Sequence, residues 1–98
     1  MNSFAEKQAE DRRLSILLLL DQAPGGSGNE ALLHDALPTT FGHEPSIDQV
    51  RTDIAWLAEQ QLVTQREVGG LVLASITPRG HDVATGRARV PGVKRPIR

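Results

Sequence analysis

The stretch "SIDQVRTDIAWLAEQQLV", residues 46–63, decides the fold. Ser46 is followed three residues later by Gln49. In this capping box each side chain satisfies the other's backbone N–H, so a helix opens here. At 100° per residue Ile47, Val50, Ile54, Leu57 and Ala58 share one face, the stripe of a helix laid on a core. Asp48, Thr52, Trp56 and Glu59 then point outward, with Gln49 and Asp53 on one flank and Arg51 on the other. The helix runs into "LVTQREV" (62–68), and Gly69 and Gly70 separate that run from "LVLASI" (71–76). Two glycines between β-rich runs predict a hairpin, because its tight turn needs positive φ at both central positions.

Upstream, Ser3 and Glu6 form another capping box, and "APGG" (23–26) is a stop, so a first helix is predicted from about Phe4 to about Gln22. Its first half is polar. Its second half, "LSILLLL" (14–20), is apolar on nearly every side, which fits a central buried helix or one shared with a partner. Ser27 and Glu30 read as a further capping box for a second helix, "NEALLHDAL" (29–37), with Leu32, Leu33, Ala36 and Leu37 on one stripe and Pro38 ending it. "PTTFGHEP" (38–45) then reads as loop. Downstream, Thr77 and Pro78 are the N-cap and first residue of a short last helix, and Gly86 is its stop. The remainder, "RARVPGVKRPIR" (87–98), is either a flexible tail or an arm that orders on binding. The order helix–helix–helix–hairpin–helix gives an α+β domain over residues 1–86, followed by a basic C-terminal tail over 87–98.

Composition narrows the function classes. The 98 residues are 39% apolar and 23% charged, enough for one globular core burying roughly 65% of the unfolded surface. Without cysteine there is neither a disulfide nor a thiolate metal site. The longest apolar run, "ILLLL" (16–20), is far short of a membrane span, so a cytoplasmic location is expected. The formal net charge of −1 conceals an asymmetry. Residues 1–60 carry ten carboxylates against Lys7, Arg12, Arg13 and Arg51, whereas residues 61–98 carry seven bases against Glu67 and Asp82.

Catalysis is not expected. His34, His43 and His81 share no metal-ligand spacing, and Ser75 and Thr77 have no base in reach. The turn at Gly25, Gly26, Ser27 and Gly28 lacks the lysine and preceding strand of a phosphate loop. No cofactor or metal is implied.

Three segments resemble winged-helix regulators of the arsenic-repressor and MarR kinds: "DRRLSILLLLDQAPGG" (11–26), "VRTDIAWLAEQQLVTQRE" (50–67) and "GGLVLASITPRGHDVA" (69–84). End to end, "GHEPSIDQVRTDIAWLAEQQLV" (42–63) and "GRARVPGVKRPIR" (86–98) are similar to a small family of proteins encoded by Mu-like transposable phages and prophages. The resemblance implies a winged helix-turn-helix with three helices, a wing of two to three antiparallel strands and a short C-terminal helix. It also implies a regulator-like, DNA-binding role. Three features depart from the winged-helix pattern. Gln61 stands where a helix-ending glycine is usual, so the third helix is expected to end less sharply. The cysteine pairs of metal sensors are missing. The loop before Ser46 is about eight residues, long for a helix-turn-helix.

On the DNA reading, Gln49, Arg51 and Thr52 meet base edges in the groove. Arg66 touches phosphate from the wing, and Arg87, Arg89, Lys94, Arg95 and Arg98 track the backbone. The partner is double-stranded DNA, bound by a homodimer whose two half-sites add avidity. The same outward face also reads as a solvated surface, its Asp48 simply complementing the helix dipole. A competing reading makes the acidic face and Trp56 a docking surface for another protein, such as a phage component, with no DNA bound. Trp56 is either covered by the first helix or the tail, or held at an interface.

Overall fold

The computed structural model describes residues 3–96; the expectation for Arg98 falls outside them. The elements are α1 (Phe4–Gln22), a 3-10 turn (Pro24–Gly26), β1 (Ser27–Asn29), α2 (Glu30–Phe41), α3 (Ile47–Glu59), β2 (Val63–Val68), β3 (Leu71–Ile76) and α4 (Pro78–Ala84). The strands form one antiparallel sheet in the order β1-β3-β2. This is the winged helix-turn-helix arrangement: α2 and α3 are the helical pair, and β2 and β3 form the wing.

The capping chemistry at Ser3 and Ser46 forms as the spacing predicts. Ser3 Oγ accepts from Glu6 N while Glu6 accepts from Ser3 N, and Ser46 and Gln49 repeat the exchange. The hairpin turns through Gly69 and Gly70 at φ 60° and 81°, the left-handed region that a primed turn requires. It pairs Val68 with Leu71 and Val63 with Ile76.

Ser27 does not cap α2. It lies in β1, its hydroxyl 2.7 Å from that of Ser75 on β3, and Asn29 caps the helix by accepting from Leu32 N at 2.8 Å. Ser27 and Asn29 both carry cap chemistry, and sheet pairing of Ser27 with Ser75 decides between them. Nor does Pro38 end α2. The helix continues through it to Phe41 and stops at Gly42, whose φ is 76°. A proline lacks only one N–H, and a last turn can form beyond it when a left-handed cap is available. The α2–α3 turn thereby shortens to residues 42–46, close to a standard helix-turn-helix.

Helix α3 also ends sharply, against expectation. Leu62 N bonds Leu57 O and Gln61 N bonds Ala58 O, both at 3.0 Å. This double bond pattern normally has glycine at the left-handed position, and here Gln61 takes it at φ 63°. Buried Leu57 and Leu62 supply the apolar contact that accompanies such a stop.

The core joins Ile16, Leu17 and Leu20 of α1 to Leu33 and Leu37 of α2, Val50, Ile54 and Leu57 of α3, and Val63 and Ala74 of the sheet. Two side chains of α3 depart from the predicted wheel. Ile47, in the first turn, is 37% exposed, and Asp53 is buried. Asp53 tolerates burial because Arg12 of α1 clasps it with Nε and Nη2, the latter 3.2 Å from Oδ1. The polar half of α1 is therefore partly structural.

The motif Thr77, Pro78, Gly80 has a packing reason. Thr77 Oγ1 accepts from Gly80 N at 3.0 Å and is itself 3.0 Å from Leu62 O. A Cβ on Gly80 would stand 2.1 Å from that same Leu62 carbonyl, so only glycine lets α4 sit there. Beyond α4, residues 87–96 lie on the body, with Val90 in the core.

Candidate functional site

The outer side of α3 and the wing carry the first group of residues that the sequence singles out for recognition. Its central cation is Arg51, the only one on α3. Arg51 is half exposed, yet its guanidinium is engaged: Nε donates to both carboxylate oxygens of buried Glu30, at 2.8 and 2.9 Å. Glu30, in the first turn of α2, also accepts from Val72 N of β3 at 3.2 Å. One carboxylate thus ties α2, α3 and the wing together. The hydrogen bond from Arg51 is the main cause that holds the Glu30 carboxyl below its ordinary range, against the opposing effect of burial. Arg51 in turn is held more firmly protonated, chiefly by Glu30, with Asp48 and Glu67 adding to the negative field.

Of the other predicted contact residues, Gln49 is exposed but its Oε1 accepts from Ser46 N at 3.0 Å as part of the cap. Thr52 is exposed on the outer side of α3. The wing's alternation separates its charges. Val63 and Ala74 are buried, so the ribbon face carrying Val63, Gln65 and Glu67 is turned toward the body and α3. Arg66 is on the opposite face, paired with Leu73. Around Arg51 the surface therefore presents Asp48 and Glu67, and Glu59 lies farther along α3; the cation of the wing points away.

Two cations of the tail, Lys94 and Arg95, lie against α1. Lys94 N bonds Glu10 O at 3.2 Å and its Nζ is 3.7 Å from Asp11, both on α1. Arg95 lines a cavity with Leu14 and Leu18 of α1, on the side of that helix opposite Arg12 and Arg13. Arg87 and Arg89 are exposed just after α4.

Trp56 lies between α1 and the tail. The Arg13 guanidinium stacks 4.1 Å from the ring centroid and donates 2.9 Å to Gly92 O. A Cβ on Gly92 would come within 2.5 Å of the indole, so the turn at Val90–Val93 rests directly on it. Sequence reasoning missed Glu30, Arg12 and Arg13 as site-forming residues. The acid of a first turn and two arginines on a polar helix half give no local sign of their distant partners.

No catalytic constellation forms among the described residues. Each histidine keeps its own aspartate: His34 with Asp35 at 3.7 Å, His43 with Asp11 at 3.1 Å and His81 with Asp21 at 2.6 Å. No cluster of three or more metal-capable side chains occurs among them. No helix among the described residues is long and apolar enough to cross a membrane.

No model of a known protein family matches the chain. Individual relatives do. The chain is 53% identical over 87 residues to the uncharacterized protein gp26 of Escherichia phage Mu, spanning 89% of this chain and 88% of that one. It is 40% identical over 95 residues to an uncharacterized protein of Haemophilus influenzae, spanning 91% of each. Among solved structures, "The complex structure of hsRosR-S1" superposes with a TM-score of 0.68 at 16% identity, over 82% of this chain and 70% of that one. The related hsRosR-S4 complex gives 0.66 at 19% identity, over 83% and 71%. The latter two share the fold; the former two share the sequence. The chain belongs to the family of the phage Mu protein gp26, and its fold is the winged helix shared with those solved structures.

Proposed function

We propose that this winged-helix protein holds another protein through its α3–wing surface, the partner presenting a basic patch, rather than reading duplex DNA with it. The observation that carries the reading is the pairing of Arg51 with Glu30 inside a field that also includes Asp48 and Glu67. A groove reader needs cations facing phosphates, and carboxylates there oppose binding to a polyanion. The same carboxylates complement a cationic protein surface and favour fast association with it. Trp56 is not needed for this contact, since Arg13 and Gly92 already cover it.

Duplex binding by a homodimer, in the manner of arsenic-repressor-like and MarR-like regulators, is the second reading. It is favoured by the scaffold and by the exposure of Arg51, Thr52, Arg66, Arg87 and Arg89. Fluorescence anisotropy on a labelled duplex at low salt separates the two. The protein-binding reading expects no saturable binding by the native chain and a gain of binding in Asp48→Lys/Glu67→Lys. In cells producing the phage proteins, cross-linking should capture a basic partner with the native chain and not with that charge-reversed variant. Tight duplex binding that Arg51→Ala weakens would instead establish the DNA reading.

A further inference from the structure

We propose that a second copy of this chain occupies the groove along the outer side of α1, as an antiparallel helix pair in which Phe4 of each copy enters the cavity beside Leu14 and Leu18 of the other. This inference is independent of what the α3–wing surface binds.

The sequence of α1 sets up two different sides. Arg12, Arg13, Ile16, Leu17 and Leu20 face the body, toward Asp53, Trp56 and the core. The opposite side carries Phe4, Lys7, Asp11, Leu14 and Leu18, spaced by alternating steps of three and four, with Leu14 itself only 5% exposed. That is the seam spacing by which two helices interlock. A capped first turn fixes Phe4 in this helix, yet its ring is 75% exposed. A phenyl ring held in water on a formed helix is unpartnered apolar surface.

The groove has room for such a ring. A cavity of about 440 Å³ is lined by Leu14, Ser15 and Leu18 of α1, Phe41 of α2, Ala84 of α4 and Arg95 of the tail. A second cavity of about 480 Å³ runs on from it toward Phe4 and shares Asp11 and Lys94 with it. The two lie in succession along α1. The apolar cavity and the projecting Phe4 are about 15 Å apart, counting ten residues from Phe4 to Leu14 at 1.5 Å each.

That separation and the charge order make the surface self-complementary. Turned antiparallel about a two-fold axis level with Ala9, Phe4 of one copy meets Leu14 of the other, and Lys7 meets Asp11. Both contacts occur twice, as an isologous interface requires. Asp11 already has His43 at 3.1 Å and Lys94 at 3.7 Å, but its side chain is 40% exposed and keeps an open side for the incoming ammonium. A parallel pair would instead set Lys7 beside Lys7 and Asp11 beside Asp11, so charge selects the antiparallel orientation.

The test is the mass of the full chain in solution by light scattering and sedimentation, across micromolar concentrations. A dimer is expected, with Phe4→Ala raising its dissociation constant about ten-fold or more and Lys7→Asp raising it as well. Phe4 and Lys7 are exposed, so circular dichroism should show an unchanged helical spectrum in the variants. Because the chain has no cysteine, Gln8→Cys supplies a unique thiol near the axis. A short bis-maleimide should join two such chains and leave the wing variant Gln65→Cys unjoined. A monomer at every concentration would overturn the proposal. So would a dimer indifferent to both Phe4→Ala and Lys7→Asp, or equal cross-linking of the two cysteine variants.

Discussion

Arg51 of α3 and Glu30 of α2 form an ion pair that closes over the wing, with Nη2 to Oε1 at 2.7 Å and the second carboxylate oxygen held by Val72 N. The residue that a linear reading assigns to a base edge is thus also a structural clasp. Any ligand that takes Arg51 must compete with a buried carboxylate.

The clasp makes stability depend on acid. The folded Glu30 carboxyl titrates below its ordinary value of 4.5, so its contribution is complete above that value and is lost as pH falls through the folded one. Glu30→Gln should unfold at lower urea than the native chain at neutral pH. The difference should shrink as both are unfolded at successively lower pH below 4.5, through the titration of the folded carboxyl.

Removing the other cross-helix carboxylate should cost more than an exposed pair would. Asp53→Ala leaves Arg12, whose side chain is only 14% exposed, without its counter-charge. A loss of about 3 kcal/mol is expected in urea unfolding, at the lower end for breaking a buried pair because Arg12 reaches some water. Replacing both, as Arg12→Met with Asp53→Leu, should recover most of it.

At the end of α3 the opposite sign is expected. Gln61 holds φ 63°, which costs a side-chain-bearing residue about 1–2 kcal/mol. Gln61→Gly removes that cost and gives back about 0.5–1 kcal/mol through a looser unfolded chain. The variant should be up to about 1 kcal/mol more stable in thermal or urea unfolding.

The tail's contact with the single tryptophan gives an optical test. Gly92 sits against the indole at φ 100°, so Gly92→Ala both clashes and strains. The turn should lift, and Trp56 emission should shift to the red, as should a truncation before Val90. The helical circular dichroism signal should remain. An unmoved emission maximum would mean that Arg13 alone shields the ring.

Local chemistry wrote most of the fold into the sequence. Caps at Ser3, Ser46 and Thr77, the glycine pair at the wing and the apolar stripe of α3 each act within one turn of chain, so their outcome is readable from neighbours. Where two local signals competed, at Ser27 against Asn29 and at Pro38 against Gly42, a partner strand or a left-handed cap decided.

The surface was not legible in the same way. Sequence alone determined that the chain builds a winged helix with acid concentrated in its first 60 residues and bases in its tail. Only tertiary structure decided where those charges point: Glu30 onto Arg51, Asp53 under Arg12, Arg66 to the far face of the wing, Lys94 onto α1. The physical reason is range. Backbone capping is settled within a few residues, whereas an ion pair between residues 21 or 41 positions apart exists only once the helices carrying them have packed.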